Sequence, residues 1–159
     1  MDAAEANRAA WADLSLRALP HTALFALLRA FGGPEAILGA THAQLAAVVP
    51  DTIAARVRAR VADDAVARAR AWLAQPDHHL VAWDDADYPQ ALLALGHAPP
   101  ALYFVGRREL LNAPAFAIVG SRHATPQGVA DARNFAHTLA QAGLTIVSGL
   151  ALGIDAAAH

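Results

Sequence analysis

Residues 115–159 carry the pattern that most restricts how this chain can fold. Ala115, Phe116, Ala117, Ile118 and Val119 form a continuous apolar run, as expected for a strand buried on both faces of a sheet. Residues 120–125 read as a loop, and residues 126–142 as a helix that Gly143 caps. Leu144, Thr145, Ile146 and Val147 form the next strand, and a second glycine-bearing turn leads into another helix from Ile154. A connection of that length is a crossover rather than a hairpin, so the two strands, expected at about 115–119 and 144–148, must be parallel. A doubly wound sheet needs several more strands, and the sequence stops about one turn into a helix, so the chain reads as a fragment. Such a sheet leaves apolar surface uncovered, and residues 100–159 are expected to be poorly soluble or dynamic in isolation.

Upstream, residues 1–76 follow a helical period. Trp11, Leu14, Leu16 and Leu19 mark a first helix over 9–19, interrupted by Pro20; Leu24, Phe25, Leu27, Leu28 and Phe31 mark a second. Gly32, Gly33 and Pro34 stop the second helix, and Pro34 suits the first turn of a short third. Thr41 can cap a fourth running to Val48, and residues 51–74 read as one longer helix. Five short helices of this kind make a small bundle. Near Pro76 and Asp77 the period changes. Residues 80–83 read as a strand entering a turn, residues 88–93 as a helical segment, and residues 101–105 as a second strand closed by Gly106. The expected fold class is therefore α/β, with a helical domain over 1–76 and the start of a parallel-sheet domain over 77–159.

Composition narrows the function classes. Hydrophobic residues make up 56% of the 159 and charged residues only 16%, which implies a folded globular protein. Much of the apolar fraction is alanine, so the mean hydropathy of +0.29 overstates the core. No apolar run approaches the ~18–20 residues that cross a bilayer, which implies no membrane partner. The start at Met1, Asp2 and Glu5 is acidic and lacks the basic region of a secretion signal, so a cytoplasmic location is expected. The absence of cysteine excludes disulfides and thiolate metal sites. A net charge of −2 supplies no global attraction to nucleic acid, so any such binding must come from a local site or from regions outside this sequence.

The two loops of the β-α-β unit leave the carboxyl ends of parallel strands, where such sheets bind ligands. Gly120, Ser121 and Arg122 follow the first strand; Ser148, Gly149 and Leu150 follow the second. Glycine lets a ligand approach the backbone, helix N-termini offer unpaired N–H groups, and Arg122 offers a fork of donors suited to phosphate. Two readings stand: the glycine amides and Arg122 hold an anion, or the glycines serve only the turns and Arg122 pairs with a carboxylate such as Asp155. The motif is neither a dinucleotide fingerprint nor a Walker A loop, because the further glycines and the Gly-Lys pair are missing. Asp84, Asp85 and Asp87 read as turn chemistry rather than as a metal site. His78 and His79 read as loop, His137 as helix surface, and His159 stands at helical spacing from Asp155. Arg56, Arg60, Arg68 and Arg70 alternate with Asp63 and Asp64 as on a solvated helix face, and Trp11, Trp72 and Trp83 read as packing residues. No catalytic constellation, metal site or cofactor is expected.

The run from Ala117 to Arg122, then Ala124, Thr125, Pro126 and Gly128, then Ser148, Gly149, Leu150, Ala151, Gly153, Ile154, Asp155 and His159, closely resembles the DNA processing protein A (DprA/Smf) family. Asp87, Tyr88, Pro89 and Leu92, with Pro99, Pro100, Ala101, Leu102, Tyr103 and Gly106, are similar to that family's approach to its Rossmann-like domain. Phe31, Gly32, Gly33, Pro34, Glu35 and Ala36 are similar to its helical domain. The resemblance implies a helical domain related to sterile-alpha-motif or helix-hairpin-helix folds, then a Rossmann-like sheet, often with a winged helix after it. It implies a protein of natural transformation and competence that is not an enzyme. Such a protein binds and protects incoming single-stranded DNA and loads the RecA recombinase. Homodimerisation and RecA contacts are carried in the family by regions this chain lacks. The implied DNA-phosphate site is Gly120, Ser121, Arg122, Ser148, Gly149, Leu150, Gly153 and Asp155. Two positions depart from the pattern: residues 19–23 lack a Gly-x-Gly hairpin, and Leu152 stands where many relatives carry arginine. The alternative is a nucleotide-binding or nucleotide-hydrolysing enzyme similar to the phosphoribohydrolases of the same superfamily.

Overall fold

The computed structural model of the chain describes residues 3–95 and 98–159; Met1 and Asp2, on which part of the acidic-start reading falls, lie outside the described residues. The chain divides into two compact units, Met1–Arg108 and Glu109–His159.

The first unit contains α1 (Ala3–Ser15), α2 (His21–Phe31), α3 (Pro34–Gly39), α4 (His42–Ala46), α5 (Asp51–Arg58), α6 (Asp63–Leu73), β1 (His78–Ala82), α7 (Gln90–Leu93) and β2 (Ala101–Val105). The punctuation residues act as their chemistry requires. Gly32 turns left-handed (φ 84°) and donates its N–H to the Leu28 carbonyl, closing α2. Thr41 and Gln44 form a reciprocal capping box that starts α4. α1, however, begins earlier than the apolar period suggests and ends at Ser15. The Ser15 hydroxyl bonds the Ala12 carbonyl at 2.8 Å, and Leu19 precedes a proline that disfavours helix.

The expected single helix over 51–74 is two helices. α5 ends at Arg58, and Ala59 is extended (ψ 141°). The freed carbonyls of Val57 and Ala59 both accept from Nη1 of Arg17, the latter at 2.6 Å, while Nη2 of Arg17 pairs with Asp13 at 3.1 Å. An arginine 40 residues away thus supplies the cap that local sequence lacks. Arg17→Ala is expected to destabilise this unit by about 2–3 kcal/mol, because two carbonyls lose a charged donor. Urea unfolding followed by tryptophan fluorescence measures it, and an unchanged midpoint would show that water caps α5 equally well. The charges around the start of α6 are solvated: Arg60, in the segment before it, pairs with Asp63, and Arg68 pairs with Asp64, all exposed. The Arg68 guanidinium holds the Asp64 carboxyl below its usual range.

β1 and β2 pair antiparallel, His78 opposite Val105 and Ala82 opposite Ala101. His78 and His79, expected as loop, open β1; His78 meets the edge of Trp72 and His79 the ring of Phe104. Leu80 and Ala82 enter the same apolar core as Trp11, Leu14, Leu24, Leu27, Ile37, Leu45 and Val57. This is why the compact unit runs to Arg108 rather than stopping at 76, where the secondary structure changes from helix to strand. The acidic turn after β1 is taken up by one local bond and two that reach back to α1. Asp84 accepts from Trp11 Nε1 (3.1 Å) and Asn7 Nδ2 (2.9 Å), and Asp85 accepts the Ala82 amide at 2.9 Å. Trp83 Nε1 (2.9 Å) and the Tyr88 hydroxyl both donate to the Pro99 carbonyl, and burial pushes the Tyr88 phenol up.

The second unit contains β3 (Ala115–Ala117), α8 (Pro126–Gln141), β4 (Thr145–Val147) and α9 (Ile154–Ala157). β3 and β4 are parallel, with Ala115 opposite Thr145 and Ala117 opposite Val147. Thr125 caps α8 by accepting the Gly128 amide at 3.1 Å. β3 was expected to be buried on both faces, but all three of its residues are exposed. Within this unit β3 and β4 pair only with each other, and Phe116, Val119 and Val147 remain 51%, 68% and 46% exposed.

Candidate functional site

The loops after β3 and β4 lie side by side, and residues 153–155 hold them. Gly153 has φ 83° and ψ −121°, and a Cβ there would fall 2.1 Å from the Ser121 carbonyl oxygen. Ile154 donates its amide to that same carbonyl at 3.1 Å and lays its side chain on Gly120, where a Cβ would sit 2.7 Å from Ile154 Cγ1. Both glycines are therefore required by close approach, not only by turn geometry. Asp155 completes the joint. The residue is 5% exposed; its Oδ1 accepts the Gly120 amide at 3.2 Å and Oδ2 the Gly149 amide at 2.9 Å. One carboxylate thus satisfies a backbone donor from each loop.

This arrangement places the expected residues as follows. Gly120, Ser121, Arg122, Ser148, Gly149, Gly153 and Asp155 come together at the carboxyl ends of the two strands. Leu150 follows in a left-handed turn (φ 53°), with its side chain 78% exposed. Its amide donates to Ser148 Oγ at 3.1 Å, and Ser121 Oγ accepts the His123 amide in the same way. The amides of Gly120 and Gly149, expected to face an anion, donate to Asp155 instead. Arg122 does not pair with Asp155. It is exposed, and among the described residues it forms no ion pair. His159, at helical spacing from Asp155, shares a hydrogen bond with Ser148 Oγ at 2.8 Å. Leu152 is 75% exposed, an apolar side chain at the edge of the site.

The exposed polar side chains of the site are therefore those of Arg122 and Ser121, while Asp155 and the glycines form its frame and the Ser148 hydroxyl bonds His159. An exposed guanidinium with no ion pair among the described residues is chemistry for a phosphate oxygen. Sequence reasoning missed the roles of Ile154 and of the His159 bond to Ser148. Both depend on a return of the chain that spacing does not encode. Among the described residues, no group of three or more His, Cys, Asp or Glu side chains could hold a metal ion.

Comparison with known proteins gives a consistent result. The family model for DNA recombination-mediator protein A matches residues 79–159. Protein Smf of Escherichia coli (strain K12) is 47% identical over 88 residues, covering 55% of this chain and 24% of its own length. A relative from Mycobacterium tuberculosis (strain CDC 1551 / Oshkosh) is 34% identical over 164 residues, covering 94% of this chain and 41% of its own. The X-ray structure of DNA processing protein A (DprA) from Streptococcus pneumoniae superposes with a TM-score of 0.69 at 26% identity, covering 92% of this chain and 50% of that one. The chain thus spans less than half the length of these curated relatives and half of the solved chain.

Proposed function

Because the chain belongs to the DNA recombination-mediator protein A family, we propose that it is part of a single-stranded DNA-binding mediator of natural transformation. In this reading the complete protein is cytoplasmic, protects incoming strands, loads the RecA recombinase and acts as a homodimer through regions outside this sequence. It acts by binding rather than by catalysis. The DNA-phosphate site is built from Gly120, Ser121, Arg122, Ser148, Gly149, Leu150, Gly153 and Asp155. Arg122 makes the charged contact, and the glycines and Asp155 fix its loop.

The observation that carries this reading is the exposed Arg122, without an ion pair among the described residues, next to Ser121 at the carboxyl edge of a parallel pair of strands. A phosphate contact carries no base information, so binding should weaken with salt and be indifferent to sequence. Arg122→Ala in the intact protein is expected to lose about 1.5–3 kcal/mol, roughly ten- to a hundredfold in affinity, equally for oligo-dT and mixed-sequence DNA. The measurement is a titration of both oligonucleotides at two salt concentrations. Unchanged affinity with the fold intact refutes the contact, and unequal losses would show base reading instead.

A further inference from the structure

The two glycine amides converge on one point, and the protein has put its own anion there. Asp155 is buried, its two oxygens each take one amide, and a Cβ on Gly149 would lie 3.1 Å from Oδ2. Paired backbone N–H groups at the carboxyl ends of parallel strands are the element with which α/β folds hold a phosphate. Here that position is filled, and by a negative charge.

We infer that Asp155 is the specificity-determining residue of the site: its carboxylate occupies the anion position between the turns and excludes terminal phosphates, such as those of free nucleotides. This deepens the DNA-binding reading and rests on it. A phosphomonoester entering the turns would have to displace Asp155 from two hydrogen bonds or sit against it, and a like charge at contact distance in a buried setting is strongly unfavourable. A phosphodiester strand needs neither turn. It lies across the outer face, where Arg122 and Ser121 are exposed. The site then selects a strand over the far simpler anions that share its phosphate chemistry, by negative charge placed where the smaller ligand would bind.

The test uses the intact protein with inorganic phosphate as probe at constant ionic strength, reading the amide resonances of Gly120 and Gly149 and the melting temperature. In the wild type these two amides should show no saturable response to phosphate. In Asp155→Ala the vacated position should take phosphate, restoring protection to both amides and raising the melting temperature more than in the wild type under the same conditions. The apparent affinity for phosphate should rise at least about tenfold. Rescue is readable even if the variant is partly unfolded. An Asp155→Ala protein that gains nothing from phosphate, folded or not, overturns the inference. So does a wild type whose Gly120 and Gly149 amides shift saturably. Because oligo-dT affinity reads Arg122 while the phosphate titration reads the turns, a failure of the inference is distinguishable from a failure of the DNA-binding reading.

Discussion

Gly153→Ala should cost the second unit roughly 4 kcal/mol or more, placing it among the most damaging single substitutions available to this chain. Two effects add. The backbone sits at φ 83° and ψ −121°, outside the conformations open to L side chains, and holding alanine there costs about 1–3 kcal/mol. The new Cβ would also stand 2.1 Å from the Ser121 carbonyl and 2.7 Å from that of Arg122, both backbone atoms that cannot rotate aside. Moving them breaks the Ile154 bond to Ser121 and draws Asp155 away from the two glycine amides. Gly32→Ala is the internal control: it too has positive φ (84°), but a Cβ there meets nothing within 4 Å, so its cost should be only about 1 kcal/mol. The second unit contains neither tryptophan nor tyrosine, so fluorescence is blind to it. Amide exchange at Gly120 and Gly149 reads Gly153→Ala, and tryptophan fluorescence of the first unit reads Gly32→Ala. Equal destabilisation by the two substitutions would mean that φ alone matters and the close approach does not.

The second large effect is expected at Trp11. Its side chain is 3% exposed in the core of the first unit, and its Nε1 reaches across to Asp84 Oδ1 at 3.1 Å. Trp11→Ala removes a large buried surface and leaves a cavity, a loss of about 3–5 kcal/mol. The location of the loss is the more telling result. Leu80 and Ala82 of β1 share that core with helices α1 to α5, so hairpin and helices should lose amide protection together. Trp11→Phe keeps much of the volume but deletes the bond to Asp84, and should cost less. Exchange that spares residues 78–105 while the helices open would restore a boundary at residue 76 and show the hairpin to be energetically independent.

Local sequence was sufficient wherever the governing forces are local. The stop at Gly32, the Thr41 cap, the solvated charges around α6 and the parallel pairing of β3 with β4 follow from capping, side-chain spacing and crossover length. Each is decided within a few turns of chain, or by how far a connection can reach. The same motifs brought seven of the candidate residues to the carboxyl edge of one pair of strands. Tertiary structure alone decided the rest. The break between α5 and α6 depends on Arg17, 40 residues away, and the inclusion of the hairpin in the first unit depends on Leu80 and Ala82 finding a helical core. The state of the site depends on Asp155, whose bond to Gly120 spans 35 residues and takes the amides that spacing alone offered to a ligand. A buried donor is satisfied by whichever acceptor the fold delivers to it, and that choice is made by proximity in space, on which a linear pattern is silent.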